Sequence, residues 1–134
     1  MKALAAALLY VWQLPQNTVG FLVTLCLHRR IARRELRGGG FVCFCFRRFG
    51  GLSLGRYLVV HRYADERLVR HEYGHYRQSK LLGPTYLLAV GLPSILWAGL
   101  FPMVRRLRPS TSYFCFPTER WADLLGGVDR PTAP

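Results

Sequence analysis

The pentapeptide His71-Glu72-Tyr73-Gly74-His75 constrains this chain more than any other stretch. On a helix, residues i and i+4 lie one turn apart, about 6 Å along the axis and 40° around it, so His71 and His75 face the same way. Two imidazoles presented in that manner suit a tetrahedral zinc ion. Glu72 stands beside them, where its carboxylate can take a proton from a zinc-bound water instead of binding the metal. The plainer alternative is a solvated helix face that happens to carry His and Glu. The zinc reading demands more of the fold, because a catalytic site needs a third protein ligand brought in from elsewhere and an open position for water.

The remaining histidines, His28 and His61, both precede the motif, and the carboxylates that follow it are Glu119, Asp123 and Asp129. Glu119 and Asp123 share the i, i+4 spacing within Pro117-Thr118-Glu119-Arg120-Trp121-Ala122-Asp123. That string predicts a second helix, with Thr118 as N-cap and acidic residues in its first turn. The plainer alternative is that Glu119 and Asp123 are ordinary first-turn acids and Trp121 is core.

H-E-x-x-H followed by E-x-x-A-D resembles the gluzincin pattern. More closely, it is similar to the membrane zinc endopeptidases that include the prenyl-protein (CAAX) processing enzymes and bacterial heat-shock proteases. The resemblance implies His71, His75 and Glu119 as zinc ligands and Glu72 as the catalytic base. It also implies that Asp123 orients a ligand histidine from behind. The string from His71 to Ser79, with Leu82-Gly83-Pro84 and Gly91-Leu92-Pro93-Ser94 after it, further resembles short uncharacterised bacterial zincin-like proteins. The chain is much shorter than the named proteases.

Charge and hydropathy pull in different directions. A formal charge of +12, from 19 Lys and Arg against 7 Asp and Glu, coexists with 51% hydrophobic residues and a mean hydropathy of +0.11. A purely nucleic-acid-binding chain is more hydrophilic; apolar runs edged by arginine suggest membrane lipid as a partner and argue against a specific nucleic acid. The cysteines Cys26, Cys43, Cys45 and Cys115 have no zinc-ribbon spacing and read as reduced, mostly buried thiols on the cytosolic side.

Along the chain, Ala3 to Leu27 carries no charge and precedes the basic run 28–34. It predicts a retained, kinked membrane helix over residues 1–37 with its flank, in preference to a signal peptide whose cleavage site would be poor. The polar stretch Gln13 to Thr18 must then face protein or water. A zincin-like domain follows over 38–134. Gly38-Gly39-Gly40 reads as a flexible break, and the runs 41–46 and 52–60, with Phe49-Gly50-Gly51 between, predict a β-hairpin. The 52–60 strand could pair with an extended peptide or simply pack on the helix that carries the motif. That helix is predicted from Ala64 or Asp65 to Leu82, and Val128 to Pro134 as a loose tail.

A second uncharged run, Pro84 to Val104, reaches about 30 Å as a straight helix, enough to cross a bilayer. A single crossing would put Glu119 on the wrong side for a zinc bond of about 2 Å. Gly91-Leu92-Pro93-Ser94 therefore predicts a break and a re-entrant or surface-lying helical hairpin over 84–104. The expected fold class is α+β, mainly helical: a minimal zincin-like core of β-hairpin plus two motif helices, with apolar membrane-associated helices.

The expected function is membrane-associated zinc peptidase chemistry on a peptide or protein substrate. The expected location is the bacterial inner membrane, with the motif helices on the cytoplasmic side. Zn²⁺ is the cofactor; Tyr113 and His61 are the candidate oxyanion donors by proximity in sequence. Two other classes remain open: an inactive membrane-anchored zinc-binding or interaction protein, and a basic binder of anionic lipid or nucleic acid through arginines 29–37, 47–48 and 105–108. The oligomeric state is left open.

Overall fold

Turn chemistry decides how the strands pair. In this computed structural model, which describes residues 1–45 and 50–130, four strands form one mixed sheet in the order β1-β2-β4-β3. They are β1 (Ile31–Arg37), β2 (Gly40–Cys45), β3 (Gly51–Leu54) and β4 (Tyr57–His61). Gly38 and Gly39 both take positive φ, +53° and +85°, and close a tight hairpin between β1 and β2. The glycine run is thus a turn rather than a flexible break. It also joins residues on either side of position 37/38, so the expected domain boundary falls inside a hairpin.

The run 52–60 is not one strand. Gly55, at φ +60°, turns the chain so that β3 and β4 pair antiparallel with each other, and β4 then lies parallel to β2. The hairpin expected between 41–46 and 52–60 is corrected accordingly. Phe46, the Arg47-Arg48 pair, Phe49 and the last four residues of the expected tail lie outside the described residues.

Alternation along β2 serves two layers. Val42 and Phe44 join Leu58 and Val60 under Val69 and Tyr76 of α3 (Glu66–Leu82). Cys43 and Cys45 point to the other face with Val59, packed by Leu27 and Ile31. Asp65 caps α3, accepting from the Leu68 N–H at 2.8 Å, and Gly83 at φ +54° ends it before Pro84, as the sequence predicts.

The N-terminal run is two helices, α1 (Lys2–Trp12) and α2 (Leu14–Cys26), separated at Gln13 with Pro15 in the first turn of α2. At 11 and 13 residues, neither matches a bilayer thickness of about 30 Å. The single kinked membrane helix is therefore not what forms. Gln13, Gln16 and Asn17 face protein, while Thr18 stays exposed, and that burial is the physical reason for the difference. Ser79 Oγ donates to Gln13 Oε1 at 2.8 Å, and Gln16 Nε2 donates to the Gly83 carbonyl at 2.9 Å. Asn17 accepts from the Arg56 N–H at 2.9 Å and donates to the Tyr10 carbonyl at 3.0 Å. Residues 28–37, expected as a membrane flank, become a 3₁₀ turn and the edge strand β1.

The second apolar run also departs from expectation. A π-helical turn at Leu87–Gly91 leads without a break into α4 (Leu92–Leu107), one helix of 21 residues. The widened turn accommodates Pro93, which lacks an N–H, so no helical hairpin forms at 91–94. Among the described residues this is the one helix long and apolar enough to cross a membrane. Chain reversal falls instead to residues 108–116, which run back along α4: the Trp97 indole donates to the Tyr113 carbonyl at 2.8 Å. The last helix, α5 (Pro117–Gly126), has Phe116 at its N-cap, two residues before the expected Thr118, with Pro117 at its first position. The fold is α+β and mainly helical.

If residues 13–17 are part of this body, Asn17→Ala leaves the part-buried Arg56 N–H and Tyr10 carbonyl without their Asn17 partner. The expected loss is about 1–3 kcal/mol of unfolding free energy, measured by denaturant titration. A silent substitution would mean the N-terminal helices are a detachable appendage.

Candidate metal centre

Two helix backbones have to come unusually close before His71 and Glu119 can meet. A Cβ on Gly74 would stand 1.9 Å from the Ala122 carbonyl oxygen, and one on Gly126 would stand 2.1 Å from that of Arg70. Gly74 and Arg70 are one turn apart on α3, and Ala122 and Gly126 one turn apart on α5. Each helix thus offers a glycine notch to the other's backbone. Residues one position along, His71 and His75 on α3, then oppose Glu119 and Asp123 on α5.

His71, His75 and Glu119 come together, all buried, with ligand atoms within 4.8 Å of one another. His71 Nε2 lies 3.2 Å from Glu119 Oε2, and His75 Nε2 lies 3.5 Å from the same oxygen. Ligands held at about 2.0–2.2 Å on a tetrahedral ion sit about 3.3–3.6 Å apart, close to the two spacings between histidine and Glu119.

The outer ring nitrogens argue the same way. Asp123 Oδ1 is 2.7 Å from His71 Nδ1, and Gln78 Oε1 is 2.7 Å from His75 Nδ1. A carboxylate and an amide oxygen only accept, so both Nδ1 atoms carry a proton, and in each ring the Nε2 facing Glu119 is the atom left to give up its proton and offer a lone pair to a metal. Asp123 is itself gripped by Arg130, at 2.6 Å to Oδ2 and 3.1 Å to Oδ1, whose guanidinium also covers the Phe114 ring. Gln78 is held by donating to the Thr118 carbonyl at 2.8 Å.

Glu72, Glu119 and Asp123 are buried together; among the described residues Arg130 pairs with Asp123, and the His71 and His75 rings face Glu119. Burial pushes the Glu72 carboxyl above its usual range, with the imidazoles of His75 and His71 opposing. For Glu119 burial pushes the same way, but hydrogen bonds from His71 and His75 win and hold it well below the carboxylate range. Burial lowers His75, yet the hydrogen bond to Glu119 and the nearby Glu72 charge leave it raised. The donor set, two imidazoles and a carboxylate, matches zinc chemistry.

Among the described residues, Glu72 Oε2 is buried with no hydrogen-bond partner. The carboxylate rests on β3, where a Cβ on Gly51 would come within 2.0 Å of Oε1. It faces a cavity of about 410 Å³ floored by His71, His75 and Glu119 and walled by β3, Tyr86, Ile95 and Tyr113. The Tyr86 hydroxyl donates to the Ser53 carbonyl at 3.0 Å. Burial, followed by the charges of Glu119 and Glu72, pushes the Tyr113 phenol up to about 12.

Other candidates lie elsewhere. His61 ends β4 and accepts from the Tyr63 N–H at 3.2 Å, His28 is exposed, and Asp129 is exposed beyond α5. Neither His61 nor the four free cysteines, two buried and two exposed, line the metal cavity. Arg130 belongs to the stretch expected as a loose tail, which is corrected by its grip on Asp123. Gln78, Arg130 and Gly51 were missed by sequence reasoning. Gln78 alone carried a local signal, three residues after His75 on the same helix face. No protein-family model, curated protein or solved structure matches this chain.

Gly74→Val is expected to force α3 and α5 apart, costing about 1–3 kcal/mol in stability and at least tenfold in affinity for any metal ion held by the triad. Unfolding curves and competitive chelator titration of the same preparation check both.

Proposed function

We propose that this chain is a membrane-associated zinc metallopeptidase of the gluzincin kind. His71, His75 and Glu119 hold the metal, Asp123 orients His71, and Glu72 is the general base. The observation that carries the reading is the convergence of two imidazole Nε2 atoms on one carboxylate, each ring fixed from behind by its own acceptor. Bound there, Zn²⁺ supplies Lewis acidity and makes water acidic enough to be deprotonated near neutral pH.

The chain's own groups do the rest. Glu72 offers a free oxygen at the cavity wall, takes the proton of the attacking water and returns it to the leaving amine. The strand β3 is an edge of the sheet and borders the cavity, so an extended peptide can add to it by strand pairing. Tyr113 lines the same cavity and is the donor to the carbonyl oxygen as it gains charge; His61 is absent from that lining. The apolar helix Leu87–Leu107, the basic surface and the free cysteines support a site on the cytoplasmic side of a membrane, the bacterial inner membrane in this reading.

The test is Glu72→Gln against Glu119→Ala, each purified in detergent and assayed for zinc and for cleavage of a peptide library. Glu72→Gln should keep zinc and lose about 10²–10⁴ in rate; Glu119→Ala should lose both. Zinc binding without Glu72-dependent cleavage would replace this reading with that of an inactive zinc-binding protein.

A further inference from the structure

The helix Leu87–Leu107 has two unlike faces. Ser94, Trp97 and Phe101 meet protein: Ser94 Oγ is 2.8 Å from Thr118 Oγ1, and the Trp97 ring stacks on Phe116 at 4.9 Å. The opposite face exposes Leu88, Leu92, Leu96, Leu100, Met103 and Leu107, an unbroken stripe at helical spacing. Arg105, Arg106 and Arg108 gather at its far end.

Length alone would let this helix cross a bilayer, but its return path forbids that. The indole of Trp97 holds the Tyr113 carbonyl, and Trp97 lies about 15 Å back from Leu107 along the axis. Residues 108–112 must cover that distance as irregular chain, with Arg108, Pro109, Ser110 and Ser112 all exposed. Irregular backbone facing lipid has no partners for its N–H and carbonyl groups, at a cost of several kcal/mol each. Three arginines at the tip would also have to pass through the hydrocarbon. Lying flat, the same helix buries its leucines, leaves the return segment in headgroups or water, and brings its arginines to anionic phosphates.

We propose that α4 lies along the surface of an anionic lipid bilayer, embedding its leucine stripe without crossing. The inference deepens the membrane part of the function proposed above and does not depend on the metal. The occupant of the exposed stripe is lipid rather than a second copy of the chain, because the cluster of arginines beside it complements an anionic surface and would repel its own duplicate.

The test uses the full chain with sealed vesicles of phosphatidylcholine, with and without phosphatidylglycerol. Wild type is expected to sediment with the anionic vesicles. The triple change Arg105→Gln, Arg106→Gln, Arg108→Gln should weaken that binding about a hundredfold. Leu96→Asp with Leu100→Asp, both at exposed positions, should abolish it while the circular dichroism spectrum stays unchanged. Topology is read from Ser110→Cys in a Cys26→Ser, Cys115→Ser background, after adding a membrane-impermeant maleimide outside bound vesicles. Labelling without detergent supports the flat helix. Labelling only after detergent, unchanged binding of the aspartate variant, or a stable dimer that ignores vesicles would each overturn it. Metal content and cleavage are measured separately, so this proposal and the peptidase reading fail by different results.

Discussion

The close crossing of α3 and α5 is what the rest of the site depends on. Carbonyl oxygens of Ala122 and Arg70 occupy the space that a side chain at Gly74 or Gly126 would fill. Only at that separation can His71 reach both Glu119 and Asp123, at 3.2 and 2.7 Å. A wider crossing would leave buried carboxylates and imidazoles too far apart to share anything, each costing about 1–3 kcal/mol unsatisfied. The apolar surface of the sheet supplies the counterforce, pressing α3 from its other side through Val42, Phe44, Leu58 and Val60. The N-terminal segment pins the far end of α3: Ser79 donates to Gln13, and Gln16 donates to Ser79 and to the Gly83 carbonyl. A polar cluster in the middle of an apolar run is thus a clamp, which explains why that run does not form the single membrane helix expected of it.

Much of the centre was legible because helical spacing is rigid. His71 and His75 had to share a face, and Glu119 and Asp123 had to share another, whatever the tertiary fold. The pairing of Asp123 with a ligand histidine came from resemblance, and the structure brings it specifically to His71. The partner of His75 could not be read so directly. Gln78 lies at the right spacing, but a glutamine on a helix has many uses, and its role appears only once the Thr118 carbonyl fixes its other end. Arg130 was hidden for a different reason. It follows Gly126-Gly127 and Asp129, a composition that reads as a loose end, and only the three-dimensional return toward Asp123 gives it a partner.

Sheet topology was less legible than the helices. The sequence marks where chains turn but not which strand receives which. Gly55 is one residue in a run of β-formers, yet its positive φ splits that run into two strands and hands β4, not β3, to β2. Likewise Gly91 and Pro93 were read as a break because proline removes a helix donor, whereas a single π turn absorbs the defect. In both cases a glycine or proline changed the local geometry as expected, but the alternative outcomes differ by less than the tertiary contacts that select between them.

The most direct measurement is X-ray absorption at the zinc edge on protein loaded with one equivalent of Zn²⁺. Two imidazole nitrogens and one carboxylate oxygen at about 2.0–2.2 Å, with a further light-atom ligand, is the expected shell. Sulfur in the first shell, or a spectrum of fully hydrated zinc, would contradict a centre built from His71, His75 and Glu119.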